Sequence, residues 1–494
     1  MSTRKKYRSW APTQSFLLPP SPLDWLPEGH LAYFILDVVD ELDLSAIEAR
    51  IHGKDARGNR PFPPQMMVGL LLYGYCVGVF SSRRLERATY EDVAFRVLSG
   101  GEHPHFTTIN GFRKEHHEAL RSLFLQVLKL CQKAGLVKLG HVALDGTKVQ
   151  ANASRHKAMS YKRLLKSELE LTEEIAQLMS RAKEVDSDED ARFGEGVRDE
   201  DLPAELQRRA KRLATIREAK ARLEHEAAQA RARTLRKQAA RSRERSESAA
   251  DEATRKQAAT TARKKAEQAK TLAPDKKDDD LDPPKTSDGL AKHEPRVESN
   301  GKPRGKSQMN FTDPDSRIME SGGTFLQAYN CQAAVDDSHQ VIVAQAVSNN
   351  SPDNGALVPV LEQLQMNCQS SAQVTTADAG YWRPEAPGEC ERLGTDIYIS
   401  TSRQRHSNRE GKLSTEAPAS ERQMMREKLA TDSGKAIYAR RKAIVEPVFG
   451  QIKQARGFRR FMLRGIEKAQ SEWSLICTGH NLLKLWRNGA MSAA

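Results

Sequence analysis

The sequence predicts a mixed α/β core, preceded by an all-helical N-terminal region and interrupted by a long charged helical insertion. Three observations carry that expectation. Apolar residues recur at helical spacing over 1–140; the stretch from Ala158 to Lys270 narrows to Ala, Arg, Lys, Glu and Gln with almost no aromatics; and beyond Met309 short β-patterned runs alternate with helical ones. At 494 residues the chain has room for roughly three domains.

In the N-terminal region the longest apolar run is Met66 to Phe80, which is interrupted by glycines. It falls short of the roughly 20 residues that span a bilayer and reads as a buried helix. A second, amphipathic helix opens near Thr107, with Thr107 and Thr108 at its N-cap and Ile109, Phe112, Leu120, Phe124, Val127 and Cys131 along one face. Arg113 and Lys114 then face outward. This fits either a recognition helix that reads DNA through Arg113 or a plain packing helix.

Within the insertion, assigned to 158–273, Tyr161, Leu164, Leu171, Ile175 and Leu178 make one seam. Leu206, Leu213, Ile216, Leu223, Ala227 and Ala230 make another, with Gly194, Gly196 and Pro203 between them. Two coiled-coil-like helices folding back as a hairpin are expected, with pairing between chains as the rival, and the seam fades after Ala230, leaving any later helix weakly anchored. Residues 274–309 are rich in Pro, Asp, Lys, Gly and Ser, include the charged run Lys276 to Asp280, and read as a solvated, flexible linker.

The core is expected from 141–157 and 310–465, followed by a C-terminal helix and tail over 466–494. Strands fall at His141 to Asp145, Thr324 to Gln332, Gln340 to Val347, Gln373 to Ala377 and Asp396 to Thr401. Asp353 caps a helix through Leu364, Pro384 to Leu393 forms a short one, and a basic helix covers Lys435 to Lys453. With the insertion excised, the order is strand, strand, strand, helix, strand, helix, strand, helix. That is the order of an RNase-H-like fold with a five-stranded mixed sheet.

If the first and fourth strands run parallel, Asp145 and Asp378 emerge together at carboxyl ends, where α/β sheets place their sites, and Glu446 arrives from the last helix. Three converging carboxylates repel unless cations compensate, and hard oxygen donors select Mg²⁺ or Mn²⁺, here two ions suited to in-line phosphoryl displacement. Glu446 and Lys453, seven residues apart, share a helix face. Arg456, Arg459, Arg460 and Arg464, interleaved with Phe458 and Phe461, read as a basic surface with stacking partners for nucleic acid. Taken alone, Asp145 before Gly146 also fits a turn, as does Asp378 before Ala379 and Gly380; Asp313 and Asp315 fit Asx turns better than a second acidic site. His105 and His141 read as structural, and Tyr381 and Trp382 as buried aromatics beside a strand end.

Several stretches resemble the DDE transposases of bacterial insertion sequences: HFTTINGFRKEH at His105 to His116, LDGTKVQANAS at Leu144 to Ser154, NFTDPDSRIM at Asn310 to Met319, TADAGYW at Thr376 to Trp382, and IVEPVFGQIKQARGFRRFMLRG at Ile444 to Gly465. The resemblance implies that Asp145, Asp378 and Glu446 are the catalytic, metal-holding triad. A related group carries Tyr, Arg, Glu and Lys on the last helix, matched by Tyr438, Arg441, Glu446 and Lys453. Four residues separate Arg441 from Glu446 where that group has three, so Arg440, Arg441 and Lys442 all compete for the arginine's place. Pro447 either kinks this helix or begins its regular part.

The implied activity is binding of terminal inverted repeats, metal-dependent cleavage, and strand transfer to target DNA by a homodimer or larger synaptic complex. Its rivals are a transposase-derived DNA-binding protein that no longer cuts, and a plain nuclease without strand transfer. Charge agrees with a polyanionic partner, since 78 Lys+Arg against 65 Asp+Glu leave +13 and a pI near 9.4. The six cysteines form no CxxC pair, which argues against a zinc site or disulfide framework and for a reducing compartment. With no secretory-type apolar segment in MSTRKKYRSW, a cytoplasmic protein without membrane association is expected, joining the nucleoid when bound to DNA.

Overall fold

The computed structural model describes residues 24–489 apart from 54–59, 155–156, 194–203, 276–280 and 402–419. The expected helix break at Gly194, Gly196 and Pro203 and the charged run Lys276 to Asp280 lie outside the described residues. The chain divides into two compact units between His116 and His117, so the N-terminal region ends short of the expected residue 140. No single described helix is long and apolar enough to cross a membrane.

The first unit is helical: α1 (Leu31–Glu41), α2 (Ser45–His52), α3 (Pro64–Val77), α4 (Ser82–Glu91), α5 (Val93–Leu98) and α6 (Phe106–Glu115). The apolar run expected to be buried is α3, with Pro64 in its first turn and every residue from Met67 to Cys76 buried. The amphipathic stretch after residue 105 is two helices, not one. His105, not a threonine, is the N-cap of α6, its Nδ1 accepting from the Thr107 amide, and the helix stops at Glu115. Arg113 does not face out. It is 2% exposed and donates from Nη1 to the Tyr75 hydroxyl (3.1 Å) and the Phe80 carbonyl (2.9 Å) and from Nη2 to Ser82 Oγ (2.9 Å). Sequence periodicity reads a charged residue as outward; here burial is tolerated because the guanidinium meets several acceptors at once.

The second unit opens with α7 (His117–Lys133) and β1 (His141–Gln150). The insertion follows: β2 (Ala158–Ser160), α8 (Tyr161–Phe193), α9 (Ala204–Ser248) and α10 (Glu252–Leu272). Leu164 and Leu171 of α8 pack with Leu213, Ile216 and Leu223 of α9 in one buried cluster, so these helices pair within the chain as a hairpin. Past Ala230 the helix is not weakly anchored. It continues to Ser248 and packs on α10 through Ala232 and Leu235 against Ala269 and Ala273. An alanine seam is hard to see in an Ala-rich sequence, because alanine serves both surface and core of a helix.

The chain then returns through 281–309 to β3 (Gln308–Asn310), which pairs antiparallel with β2. This stretch is no solvated linker. Asp288, whose side chain has no exposure, forms an ion pair with Arg121 and accepts from the Val347 amide (2.9 Å) and Gln470 Nε2 (2.8 Å). Leu290 is buried at 2%.

The sheet contains β1, β4 (Arg317–Ser321), β5 (Thr324–Asp336), β6 (Ile342–Ser348), β7 (Val374–Ala377) and β8 (Asp396–Ile399), with α11 (Leu357–Cys368) and α12 (Ala386–Arg392) between the later strands. It has six strands, not five. β5 is long enough to pair β1 antiparallel on one side, and β4 and then β6 in succession on the other. The extra strand β4 turns into β5 through Gly322 and Gly323, both at positive φ, as a two-residue hairpin loop requires. β1 and β7 run parallel, as do β7 and β8.

The chain ends in α13 (Glu421–Ala430), α14 (Asp432–Gly450), a π-helical stretch Gln451–Ala455, and the buried helix α15 (Ile466–Arg487). Pro447 lies inside α14 and has no amide to donate to the Ala443 carbonyl. Gln340 fills that gap, its Nε2 donating to Ala443 O at 3.1 Å while its Oε1 accepts from Lys484 Nζ at 2.9 Å.

Because Arg113 holds three acceptors in a buried site, Arg113→Ala is expected to lower unfolding free energy by about 2–4 kcal/mol. Chemical denaturation of the purified protein measures this, and an unchanged midpoint contradicts the core assignment.

Candidate active site

Parallel register brings the two aspartates together. Leu144 pairs with Ala377, the last matched position of β1 and β7, so Asp145 and Asp378 are the next residue on each of two adjacent strands. Neighbouring strands lie about 4.8 Å apart, and both carboxylates therefore occupy one end of the sheet, as the parallel arrangement requires. Asp145 Oδ1 accepts from the Gly146 amide (2.7 Å) and Oδ2 from Arg441 Nη1 (3.1 Å). Asp378 caps the 3-10 turn Ala379–Tyr381 by accepting from the Gly380 amide (2.8 Å). Burial pushes the Asp145 carboxyl up to about 6; Arg441 opposes that rise and the charge of Asp378 adds to it.

The glutamate does not join them. Glu446 is exposed, and among the described residues no three acidic, histidine or cysteine side chains converge to hold a metal ion. Its expected partner on the same helix face, Lys453, is instead half-buried in the π-helical stretch, donating Nζ to the Lys148 carbonyl at 2.9 Å. The wider π turn breaks the 3.6-residue spacing on which that shared face was inferred.

The competition among Arg440, Arg441 and Lys442 resolves on contacts. Arg441 reaches Asp145 and stacks on Tyr438, its guanidinium carbon 6.0 Å from the ring centre. Arg440 pairs with Asp337, and Lys442 is exposed. Arg441 is 8% exposed, and its buried Nε has no hydrogen-bond partner.

The basic surface is only partly as expected. Arg459, Arg460 and Arg464 are exposed, but Arg456 is 8% exposed and donates Nη1 to the Ile476 carbonyl at 3.2 Å. Phe458 and Phe461 are fully buried and face one another edge-on with centroids 5.5 Å apart, so they are core residues and not stacking partners for bases. Asp313 and Asp315 are structural: Asp313 accepts from the Tyr329 hydroxyl (2.9 Å) and Asp315 from the Ile466 amide (3.1 Å). His141 is buried against Thr376 Oγ1 at 3.0 Å.

Sequence reasoning missed Asp353. It is not the cap of α11, whose N-cap is Ala356. Its carboxylate accepts from Lys148 Nζ (3.2 Å), Asn330 Nδ2 (2.6 Å) and Gln332 Nε2 (2.8 Å), while the buried Tyr381 hydroxyl donates to Gln332. This network leaves no room at Gly146, where a Cβ would lie 2.7 Å from both Asp353 Oδ1 and Gln332 Nε2. The available signal was the pair Gly146 and Lys148 on alternate positions after Asp145, which puts both on the opposite face of β1.

Residues 398–486 match a family described as Transposase DDE domain, and residues 20–115 match one described as Transposase domain (DUF772). Both matches are to transposase families, and together they support a DDE transposase of an insertion sequence. No curated protein and no solved structure matches it. The first matched segment of the transposase carries Tyr438, Arg441, Glu446 and Lys453, whereas Asp145 and Asp378 lie outside both. Transposases act on DNA, and the DDE family generally uses divalent metals. Two carboxylates at adjacent strand ends, one of them held above its usual pKa range by burial, fit a hard cation that would relieve their repulsion; in this structure Arg441 is paired with Asp145.

Two outcomes follow from this geometry. Gly146→Ala is expected to destabilise the transposase by about 1–3 kcal/mol through overpacking, read in a denaturant melt. Asp145, raised above its unfolded value of 3.8 to about 6, favours the folded state below pH ~4 and loses that contribution as pH rises through ~6. In chelator, Asp145→Asn is therefore expected to match the parent near pH 4 and exceed its stability above pH 6.5, by at most about 3 kcal/mol. Parallel stability curves across that range contradict a carboxylate whose burial outweighs its pairing with Arg441.

Proposed function

We propose that this transposase has an RNase-H-like catalytic core, binds the terminal inverted repeats of an insertion sequence, and catalyses metal-dependent DNA cleavage and strand transfer. The observation that supports this most is the Leu144–Ala377 register, which sets Asp145 and Asp378 side by side at the carboxyl ends of parallel β1 and β7. The strand arrangement, with β6, β5, β1, β7 and β8 in spatial order and β1 antiparallel to β5, agrees with that core.

In this reading Asp145 and Asp378 hold Mg²⁺ or Mn²⁺, with Glu446 as third donor. Two such ions supply Lewis acidity for activating the attacking oxygen and stabilising the leaving one. Arg441 neutralises Asp145 when the acids are otherwise uncompensated, and its unpartnered Nε is a donor for a phosphate oxygen. Lys453 and the exposed Arg459 and Arg460 add positive charge near the Lys148 and Gln150 end of β1, where the DNA backbone enters. Tyr438 positions Arg441 through their stacking contact. Pairing of two element ends requires a homodimer or larger synaptic complex, acting in the cytoplasm on nucleoid DNA.

The exposed Glu446 favours a second reading, a transposase-derived DNA-binding protein that does not cut. Cleavage of a fragment spanning an element end in Mg²⁺ separates the two. Asp145→Asn, Asp378→Asn and Glu446→Gln are each expected to bind DNA but cut at least about a thousandfold more slowly, the loss of several kcal/mol of charge stabilisation. Equal cutting by Glu446→Gln removes it from the triad, equal cutting by either aspartate variant rejects the site, and binding without cutting by the parent supports the second reading.

A further inference from the structure

Away from the carboxylate pair, the return stretch 281–309 builds a groove of about 940 Å³ with the start of α8 and the outer part of β4. Lys162, Arg296, Arg304 and Lys306 line it, with Glu298 as the one carboxylate among the lining residues. All four cations are exposed, and none makes an ion pair among the described residues. Deeper in, Arg317 is already compensated by Glu226 at 3.1 Å, and burial together with Arg317 pushes His293 down to about 4, leaving it neutral.

The frame that carries these cations is fixed by backbone bonds. The Lys162 amide donates to the Gly305 carbonyl (3.1 Å), Tyr161 to Ser307 (2.8 Å) and Arg304 to Arg296 (2.9 Å). Four exposed, unpaired cations on a concave frame raise the local positive potential, which solvent and salt only partly screen and a polyanion would neutralise. A groove of this size exceeds a single phosphate, and its charges are spread across several segments, as contacts to a polyanion backbone require.

We propose that this groove is a second, sequence-independent DNA-backbone site, engaging duplex beyond the cleavage point. The assignment rests on the reading of Asp145 and Asp378 as the cutting site. The Ala151 amide donates to the carbonyl of Gln327, which lines the groove, and Ala151, directly after β1, is six residues from Asp145. At about 3.3 Å per residue that is about 20 Å, the rise of about six base pairs at 3.4 Å each.

The test is equilibrium binding of the full chain to a random-sequence duplex across a salt series, with Lys162→Gln, Arg304→Gln and Lys306→Gln combined. Affinity at low salt is expected to fall at least tenfold, and the log–log salt slope to flatten by up to about three, near 0.9 per lost phosphate contact. Thermal melting checks folding; should the combined variant lose its transition, each single substitution is expected to flatten the slope by about 0.9. An unchanged slope and affinity in folded variants overturns the proposal. So does loss of inorganic triphosphate binding with duplex binding intact, which would make the groove a small-phosphate site. If the parent fails to cut element ends while the slope still flattens, the cleavage reading falls and the groove stands; if the parent cuts and the slope does not change, the groove alone falls.

Discussion

The parallel pairing of β1 with β7, ending at Leu144 and Ala377, is the constraint on which the rest of the site depends. Side chains alternate along a strand, so a one-residue slip would turn Asp145 to the other face and substitute Gly146 beside Asp378. The register is held from both sides of β1. On one side β5 pairs with it over nine matched positions from Val142 to Gln150. On the other, His141 is tied to Thr376 of β7 by a side-chain bond at 3.0 Å. Placing two carboxylates side by side opposes folding, and Arg441 from α14 supplies the local compensation.

The position of α14 follows from its own irregularity. Pro447 frees the Ala443 carbonyl, and Gln340, held at a positive φ of 59° before β6, supplies the missing donor. The same residue is gripped from α15, with His480 Nε2 at 2.8 Å from its carbonyl and Lys484 on its side chain. One strained turn thus ties the helix that carries Arg441 to the buried C-terminal helix. α15 also protects the sheet edge. Asn481 takes both the amide and the carbonyl of Ile342, Gln363 takes the Gln345 amide, and Asp288 takes that of Val347, so the outer edge of β6 is capped by side chains.

Period and motif made much of this legible in advance. The strands containing Ala143, Tyr329, Ala344, Thr376 and Tyr398 and the buried helix around Leu71 follow from alternation or apolar runs, and the adjacency of Asp145 and Asp378 follows from strand order. Features that depend on partners distant in sequence were not legible. Arg113 looks like a surface cation until Tyr75, Phe80 and Ser82 surround it, and Phe458 and Phe461 look like stacking platforms until they close on each other. Asp288 looks like a linker residue until Arg121 meets it. The π-helical stretch after Pro447 has no local pattern that distinguishes it from α-helix, and it separates Lys453 from the face of Glu446.

The insertion enters and leaves the core at one point, which explains how a sheet with so exact a register tolerates it. β2 and β3 pair Ala158 with Asn310 and Ser160 with Gln308, closing a two-stranded neck beneath the helices. The neck is reinforced by Asn310 Nδ2 on the Ser154 carbonyl at 2.9 Å and by the Phe311 amide on the Lys157 carbonyl at 3.0 Å. With its ends fixed, the excursion behaves as one long loop whose closure entropy grows only logarithmically with length, and its cost is offset locally by the α8–α9 cluster and the alanine seam of α9 and α10. Strain at the sheet therefore does not scale with the size of the helices. Their attachment at Ala158, thirteen residues beyond Asp145, fixes the return stretch, and the cations it carries, relative to the carboxylate pair.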